Sequence, residues 1–368
     1  MKIEKFLISR DPQWYHAWPD VALTSDGTLV CIFNECTNHC RRPHSCIMLC
    51  ESADRGRTWT EKHPLTEATD NLNYYYNCPR ISALPDGRLA AVVDRIPSEG
   101  EGAGAGKSEI LLYFSSDCGK NWESPVTIPL HGIVPSKLTV LDNGRWLLAA
   151  HYPFGNKLTE FLVYSDNSGK NWSREITLAH DERYQLCEVS LLPLGGGTVV
   201  GFLREDSGLG LDCFKTISYD NGETWGPLIP LPMPGCHRPV AGLLNDNRIF
   251  ITYRFHQGGG GGMGSAAQNF FGALTNRESV LSDSRKGARI RIVPIDYDSA
   301  AKADTGYSGW VQFPDGEIYV VNYIMDDQEN RAQIRGYSLF TANKRKGECC
   351  PGCSTPEVGE RLCGILPE

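Results

Sequence analysis

The sequence of 368 residues lacks any apolar run that approaches the roughly 18 residues needed to cross a membrane, so we expect no membrane-embedded segment. It also lacks an excess of basic residues, since 36 Lys and Arg stand against 44 Asp and Glu, for a formal net charge of −8. This balance argues against a nucleic-acid partner, which requires a basic surface. The stretch 1–8 has no apolar core of a signal peptide. We therefore expect a cytoplasmic protein, or a secreted one whose leader has been removed.

Cysteine, in contrast, is abundant, with 14 residues that are concentrated in the segments 31–50 and 349–363. An even number permits disulfides but does not establish them. A zinc site is a further alternative for the first segment, although the spacing matches no familiar zinc finger. The residues concerned are Cys36, His39, Cys40, His44 and Cys46. We expect mostly free thiols in strands and loops, and neither a metal ion nor a cofactor.

A short pattern, S-x-[DN]-x-G-x-[TN]-W, occurs four times at similar spacing. The copies are Ser52–Trp59, Ser115–Trp122, Ser165–Trp172 and Ser218–Trp225. Each contains a Ser, an Asp or Asn, a Gly that can take positive φ and a Trp, which is typical of a tight turn held by side-chain hydrogen bonds. A fixed period indicates a repeat fold, so we expect the third residue of each copy to be structural rather than catalytic. These residues are Asp54, Asp117, Asn167 and Asp220.

A second repeat consists of an apolar strand, a turn rich in Gly, Asp or Asn, and another apolar strand, which is the pattern of a β-hairpin. It occurs six times, at residues 19–35, 79–95, 136–152, 188–205, 238–255 and 308–323. Six hairpins, each followed by enough chain for further strands, predict an all-β fold, a six-bladed β-propeller over residues 1–343. We expect a strand at residues 4–9 to complete the last blade and residues 344–368 to form a Cys-containing C-terminal tail.

The strand order also predicts where function lies. If the innermost strand of each blade precedes the hairpin turn, its start and the end of the second strand meet at one mouth of the central channel. Polar and aromatic residues are concentrated at these positions. Our candidates there are His16, Trp18, Asp20, Arg80, Lys137, Glu188, Arg204, Arg238, Arg254 and Tyr307. Two glycine-rich stretches, 99–106 and 258–264, are expected at the same mouth as surface loops or lids.

The repeated S-x-[DN]-x-G-x-[TN]-W pattern resembles the Asp-boxes of the sialidase (neuraminidase) superfamily, in particular its divergent glycosidases, over most of the chain. The resemblance implies three arginines that hold a substrate carboxylate, a nucleophilic Tyr activated by a Glu, and an Asp acid/base, an exception to the two-carboxylate glycosidase scheme. Gly306-Tyr307-Ser308 is similar to the segment that bears the Tyr. Leu186-Cys187-Glu188-Val189, with Phe202-Leu203-Arg204, resembles the segment that carries the Glu and one Arg. Arg238 or Arg254 corresponds to the next Arg.

Two parts of the superfamily pattern are missing. Where sialidases have Arg-Ile-Pro in the first inner strand, this chain has Ala17-Trp18-Pro19, so the first arginine is absent. The usual acid/base Asp has no counterpart in its loop. The residues available instead are His16, Asp20, His39 and His44. A His can act as acid or base near neutral pH, so the chemistry could be rebuilt around it.

The first function that fits these residues is a retaining, exo-acting glycoside hydrolase for a carboxylated sugar, of the sialic, ulosonic or uronic acid type. Tyr307 would attack the anomeric carbon and Glu188 would take its proton. His16 or Asp20 would serve as acid/base. Arginines bind a carboxylate through paired hydrogen bonds, and those expected to do so are Arg80, Arg204 and Arg238. The partner would be an acidic oligosaccharide or glycoconjugate.

Two alternatives remain open from the sequence. One is a lyase on uronate-containing glycans, in which His16 removes the proton beside the carboxylate and Arg80 or Lys137 neutralises the charge. The other is a non-catalytic glycan- or protein-binding propeller, since one fold supports many functions. Only a lyase produces an unsaturated sugar. Replacing Tyr307 by Phe should abolish hydrolysis but only weaken a binder.

Overall fold

The computed structural model of the protein describes residues 2–40, 42–70, 73–98, 107–257, 267–326 and 331–341. These residues form 25 β-strands in six antiparallel sheets, together with one short α-helix and one 3₁₀ turn. The predicted all-β, six-bladed β-propeller is confirmed. The two glycine-rich stretches and the C-terminal tail lie outside the described residues.

The first three blades run in chain order, each from the channel outward. Blade 1 comprises β2 (Tyr15–Leu23), β3 (Leu29–Cys36), β4 (Ser45–Ser52) and β5 (His63–Pro64). Blade 2 has a divided inner strand, β6 (Tyr74–Tyr76) and β7 (Arg80–Ala83), followed by β8 (Leu89–Pro97), β9 (Glu109–Ser115) and β10 (Val126–Ile128). Blade 3 comprises β11 (Thr139–Val140), β12 (Trp146–Phe154), β13 (Lys157–Ser165) and β14 (Ile176–Ala179).

The last three blades follow the same order. Blade 4 comprises β15 (Leu186–Gly195), β16 (Thr198–Glu205), β17 (Asp212–Ser218) and β18 (Ile229–Pro234). Blade 5 comprises β19 (Cys236–Leu243), β20 (Ile249–His256), β21 (Gln268–Thr275) and β22 (Arg291–Tyr297), with α1 (Arg277–Leu281) and the 3₁₀ turn (Arg285–Gly287) before β22. Blade 6 comprises β23 (Thr305–Gln312), β24 (Ile318–Ile324), β25 (Gln333–Leu339) and the N-terminal β1 (Ile3–Ser9).

Strand β1 closes the ring. It pairs antiparallel with β25, so that Ile3 lies opposite Leu339 and Leu7 lies opposite Arg335. The first strand of the chain thereby becomes the outermost strand of the last blade, as predicted. This pairing covers an edge of β25 that would otherwise be open to association with another strand.

The hydrophobic cores lie between neighbouring blades. Among the described residues, six clusters of buried side chains each join the facing sides of two adjacent blades, including the last and the first. In one of them, Val30 and Ile32 of blade 1 pack with Ile81 and Ala91 of blade 2. Because the middle strands of each blade are covered on both faces, their sequences are nearly continuous runs of apolar residues.

The first Asp-box shows how the repeated turn is held. Ser52 Oγ donates to Asp54 and accepts from the backbone N–H of Gly56, both at 2.8 Å. Asp54 also accepts from the N–H of Thr58 at 2.8 Å, and Trp59 Nε1 donates to the Gly56 carbonyl at 3.2 Å. The second and fourth boxes repeat these bonds. The aspartates of the boxes therefore stabilise turns.

A β-bulge interrupts the inner strands of blades 1, 4, 5 and 6 at the same level. The pairing register shifts there, and one non-glycine residue in each bulge has positive φ. These residues are Trp18 (54°), Glu188 (57°), Arg238 (49°) and Tyr307 (51°). Such strained conformations are rare and are concentrated at functional sites. Because a bulge breaks the alternation of side chains, it re-aims these four toward one level of the channel.

The cysteines of the described residues are free thiols, ten in number. The zinc interpretation of the segment 36–46 is not supported, because its side chains have separate partners. Cys36 and Cys46 donate to backbone carbonyls, whereas His39 and His44 each bond an aspartate. In the part of the chain that the structure describes, no helix has the length and apolar character required to cross a membrane.

Candidate active site

Three of the four bulged residues, Trp18, Glu188 and Tyr307, line a cavity of about 300 Å³ in the central channel. Its lining consists of Trp18, His39, Arg42, Asn77, Cys78, Ile133, Val134, His151, Leu158, Cys187, Glu188, Asp206 and Tyr307. A larger cavity of about 520 Å³ lies further along the inner strands, toward the hairpin turns, and its lining is mostly aliphatic. Ionisable groups are concentrated in the smaller cavity, which is therefore the candidate active site.

Tyr307 and Glu188 form the centre of this site. The Tyr307 hydroxyl donates to Glu188 Oε1. Arg204 Nη1 lies 2.8 Å from the same carboxylate oxygen and 3.2 Å from the Tyr307 hydroxyl, while its Nη2 donates to Asp206 at 2.7 Å. All three members of the triangle are buried. The arrangement places a phenol, a carboxylate and a guanidinium in mutual contact.

The charges of the site set the protonation state of this pair. Burial raises the pKa of Tyr307 well above its ordinary value, and the Glu188 charge adds to the effect. Burial also raises the pKa of Glu188, but Arg204, Arg238 and Arg254 outweigh it and bring that pKa down to about 2. At neutral pH the site therefore holds a neutral phenol beside an ionised carboxylate.

Two further arginines flank the Tyr307 ring. The guanidinium carbon of Arg254 lies 5.1 Å from the ring centre and that of Arg238 lies 5.8 Å from it. Arg238 donates to the backbone carbonyls of Val134 and Pro135, at 3.1 and 2.7 Å, so its guanidinium is largely occupied by the scaffold. The structure therefore brings Arg204, Arg238 and Arg254 together around Tyr307.

Arg42 is a residue of this cavity that the sequence analysis missed. Its guanidinium carbon lies 4.1 Å from the centre of the Trp18 ring and 5.2 Å from that of Tyr75. Nη1 donates to Asn77, and Nε donates to the His39 carbonyl at 3.1 Å. Arg42 lies in the loop after β3, and the end of β3 is at the mouth of the channel. That position in the sequence could have identified it. Arg42 supplies positive charge on the side of the cavity opposite blades 4 and 5.

His39 lies in the same loop and also lines the cavity. Its Nδ1 lies 2.7 Å from Asp304 Oδ2, and its ring meets the Trp18 ring edge-on at 5.1 Å between centroids. The Asp304 carboxylate also accepts from the hydroxyls of Tyr15 and, at 2.8 Å, Tyr323. Burial raises the pKa of Asp304, but His39 and its other partners bring it below the ordinary value. The imidazole is therefore held by an ionised, buried carboxylate.

His16 lies at the start of β2, opposite Glu35 near the end of β3, but its side chain does not line the cavity. Its ring is fully buried beside Phe33, and Nε2 lies 2.9 Å from Glu35. Asp11, His16 and Glu35 are close enough together to hold a cation. The ammonium of Lys62 already occupies that position, because it contacts Glu35, Asp11 at 2.5 Å and His16 Nε2 at 3.3 Å.

Asp20, Arg80 and Lys137 are also outside the candidate site. Asp20 is fully buried, accepts from the backbone N–H of Ile81 at 3.0 Å and pairs with Lys137 at 2.9 Å. Arg80 donates to the carbonyl of Ser308 at 3.0 Å and, with Lys137, lines the larger cavity. These side chains connect inner strands beneath the site. The structure therefore does not bring them to the cavity of Tyr307, where we expected them, and their role in binding or catalysis stays a prediction.

Fold and site together define a six-bladed Asp-box propeller of the sialidase type. The chain belongs to the family described as the BNR repeat-like domain, which it matches over residues 67–320. The predicted membership among the Asp-box, BNR-repeat proteins of the sialidase superfamily is thereby confirmed. No curated protein matches the chain by sequence.

Several solved structures share this fold. A protein of unknown function from Dyadobacter fermentans superimposes with a TM-score of 0.74 at 22% identity, covering 92% of this chain and 98% of that one. The NanB sialidase from Streptococcus pneumoniae gives 0.65 at 14% identity, covering 91% and 70%. The intramolecular trans-sialidase from Ruminococcus gnavus gives 0.64 at 12% identity, covering 89% and 94%. At these identities the likeness shows the fold alone.

Proposed function

We propose that the protein is a retaining exo-glycoside hydrolase that removes a carboxylated sugar, of the sialic, ulosonic or uronic acid type, from an oligosaccharide or glycoconjugate. The observation that carries the proposal is the hydrogen-bonded pair of Tyr307 and Glu188, with Arg204 bonded to both. A phenol next to a carboxylate base is the arrangement of an activated nucleophile. The sialidase fold of the neighbours is consistent with it.

In the proposed first step, the Tyr307 oxygen attacks the anomeric carbon and its proton passes to Glu188. A neutral phenol suits an anomeric centre that carries a carboxylate, because an anionic nucleophile would be repelled by the substrate's charge. The hydrogen bond already present between the two side chains is the path of the proton. The bond to the leaving group breaks and a covalent glycosyl-tyrosine forms.

The substrate itself would strengthen the base. In the free site three arginines lower the pKa of Glu188 to about 2, after outweighing the effect of burial, so Glu188 is a weak proton acceptor there. A substrate carboxylate that pairs with Arg204 or Arg254 offsets this positive potential. The pKa of Glu188 then rises toward that of an effective base. Proton transfer from Tyr307 is thereby coupled to binding of an acidic sugar.

The substrate carboxylate would be bound by Arg204 and Arg254. Their Nε atoms, like that of Arg238, are buried without a hydrogen-bond partner among the described residues, and the N–H groups would gain one in the carboxylate. Arg42, on the facing wall, stands in for the arginine missing at Ala17-Trp18-Pro19, and the Trp18 ring beside it can pack on the sugar. Arg238 remains bonded to backbone carbonyls, and its positive charge contributes to the electrostatic potential around Tyr307.

The lyase alternative has less support than the hydrolase. Its proposed base, His16, is buried in the cluster of Glu35 and Lys62, and Arg80 and Lys137 serve the scaffold below the site. A binding propeller would use the same cavity without turnover, and it is an outcome of the experiment below.

A panel of acidic glycosides tests the proposal. The protein is incubated with ketosides of sialic and other ulosonic acids and with uronate-terminated oligosaccharides, and products are read by mass and by the ultraviolet absorbance of unsaturated uronates. We expect at least one member to release its terminal acidic sugar with the gain of one water. An absorbing, unsaturated product, or binding without turnover across the panel, would overturn the hydrolase assignment.

A further inference from the structure

The loop between β3 and β4 brings a second set of ionisable groups to the cavity of Tyr307. His39, on this loop, lines that cavity, although its side chain remains 25% exposed. Two contacts connect its partner Asp304 to the nucleophile. The Tyr323 hydroxyl donates to Asp304, and the Tyr323 ring lies 6.4 Å from the Tyr307 ring. Arg254 lies 5.1 Å from the Tyr307 ring and 3.9 Å from Asp304.

The contacts of Asp304 give the imidazole a defined orientation. Asp304 is 1% exposed and accepts hydrogen bonds from Tyr15, Tyr323 and His39. Its backbone N–H donates to Asp298 at 3.0 Å, which holds Asp304 immediately before β23 and two residues before Gly306. Since Nδ1 of His39 is engaged by the carboxylate, Nε2 is the nitrogen that can act on a substrate.

We infer that His39 is the general acid/base of the reaction and that Asp304 is its positioning residue, an assignment that rests on the proposed hydrolase function. The two replace the aspartate that the resemblance led us to expect in the loop of blade 1. His16 and Asp20, the sequence candidates for this role, have their side chains bonded elsewhere in the fold. His39 is the histidine of that loop that lines the cavity.

The proton balance closes over two steps. In the first, the bond between the anomeric carbon and the leaving oxygen breaks as Tyr307 attacks, Glu188 takes the phenol proton, and His39 gives its Nε2 proton to the leaving oxygen. In the second, neutral His39 takes a proton from water, whose oxygen attacks the anomeric carbon. The bond to Tyr307 breaks, and Tyr307 recovers its proton from Glu188. The sum is one glycoside and one water converted to a free sugar and an alcohol.

The experiment compares leaving groups. His39→Asn keeps an amide donor near the position of Nδ1, where it can still bond Asp304, but removes Nε2. From a 4-nitrophenyl glycoside, the 4-nitrophenolate ion leaves without being protonated, whereas a sugar leaving group must be protonated as it leaves. We expect His39→Asn to lower kcat/KM for the sugar-linked substrate by roughly 10²–10⁴-fold and for the nitrophenyl substrate by less than about tenfold. Azide, which needs no base, should restore turnover of the nitrophenyl substrate and yield a glycosyl azide.

Two further variants complete the test. Asp304→Asn should give the same dependence on the leaving group with a smaller loss, which a purely structural defect would not do. His63→Gln, on the outer strand of blade 1, is the matched control and should leave both substrates unaffected. Equal losses for both leaving groups in His39→Asn, with wild-type activity intact, would overturn only the His39 assignment. If the wild-type protein hydrolyses neither substrate, the hydrolase proposal fails and the His39 assignment fails with it.

Discussion

Tyr307 and Glu188 are 119 residues apart in the chain, yet the hydroxyl of one donates to the carboxylate of the other. Each lies in a bulge of an inner strand, in blades 6 and 4, with φ of 51° and 57°. The same irregularity therefore aims both side chains at one point. A propeller can bring side chains of distant blades into contact in this way, because its inner strands converge on the channel.

Arg204 controls the charge state of Glu188, and its removal should be visible in the pH dependence of the reaction. Glu188 must be ionised to accept the Tyr307 proton. Arg204 is the largest of the influences that lower the pKa of Glu188. In Arg204→Met that pKa rises, so activity is lost at a higher pH as the solution is acidified. We expect the acid limb of the kcat/KM profile to move to higher pH, with kcat reduced by roughly 10²-fold.

The control for this experiment is Arg183→Met, because Arg183 forms an exposed ion pair with Asp181. Its profile should coincide with that of the wild-type protein. An acid limb that is unchanged in Arg204→Met would show that Glu188 is not the group that titrates.

Arg42 should contribute to substrate binding more than to the chemical step. Its guanidinium packs on Trp18 and lines the cavity, but the structure gives it no contact with Tyr307 or Glu188. A hydrogen bond to a charged group contributes about 1.5–3 kcal/mol, so Arg42→Ala should raise KM by roughly 10–100-fold while kcat changes little. Steady-state kinetics on the best acidic glycoside measure both constants. Arg88→Ala, at the hairpin turn of blade 2 where Arg88 pairs with Asp86, is the control. A loss confined to kcat would contradict the assignment.

The burial of Glu160 predicts that the stability of the folded protein depends on pH. The residue is fully buried, and burial raises its pKa to about 8, far above its ordinary value of 4.5. The folded protein therefore holds this proton more tightly than the unfolded chain, and the stabilisation is lost as the pH rises toward and through 8. Glu160→Gln, which keeps an oxygen to accept from the N–H of Val189, should melt at the wild-type temperature near pH 5 and above it near pH 9.

Thermal unfolding at a series of pH values measures this difference. The exposed Glu182→Gln is the control and should follow the wild-type curve at every pH. Parallel curves for Glu160→Gln and the wild-type protein would mean that Glu160 is not protonated in the folded state at neutral pH.

Gly56 of the first Asp-box can be compared with Gly27 in a test of stability. A Cβ at Gly56 would lie 2.1 Å from the Tyr319 ring, whereas a Cβ at Gly27, which has a similar positive φ, would meet no atom within 4 Å. The left-handed conformation alone costs about 1–2 kcal/mol for alanine. Gly27→Ala should therefore melt slightly below the wild-type protein and Gly56→Ala far below it. Equal melting temperatures for the two variants would contradict the packing role of the Asp-box.

The fold was largely predictable because its determinants are local and repeated. The Asp-box and the hairpin turn each require particular residues at short range, as the bonds of Ser52 and Asp54 illustrate. Tyr307 and Glu188 were identified because they lie in segments that match the superfamily. That they share a hydrogen bond depends on the closure of six blades, which no local pattern reveals.

The sequence named His39 among four candidates for the acid/base but did not single it out, for two physical reasons. The bulge at Trp18 breaks the alternation of β2, so the proximity of His16 and Asp20 to it in sequence did not predict where their side chains lie. His39 and Arg42 lie in a loop, where no periodicity relates sequence to position. Only the folded ring brings that loop against Asp304.

The measurement that tests the central claim most directly is identification of the covalent intermediate. The probe is a derivative of the acidic sugar that the protein hydrolyses best, with fluoride at the anomeric carbon and a second fluorine on the neighbouring carbon to slow hydrolysis of the intermediate. Intact-protein mass and peptide mapping should locate one sugar on Tyr307, with no adduct in Tyr307→Phe. An adduct on a carboxylate, or turnover of unmodified substrate with no adduct at all, would contradict the assignment of Tyr307 as the nucleophile.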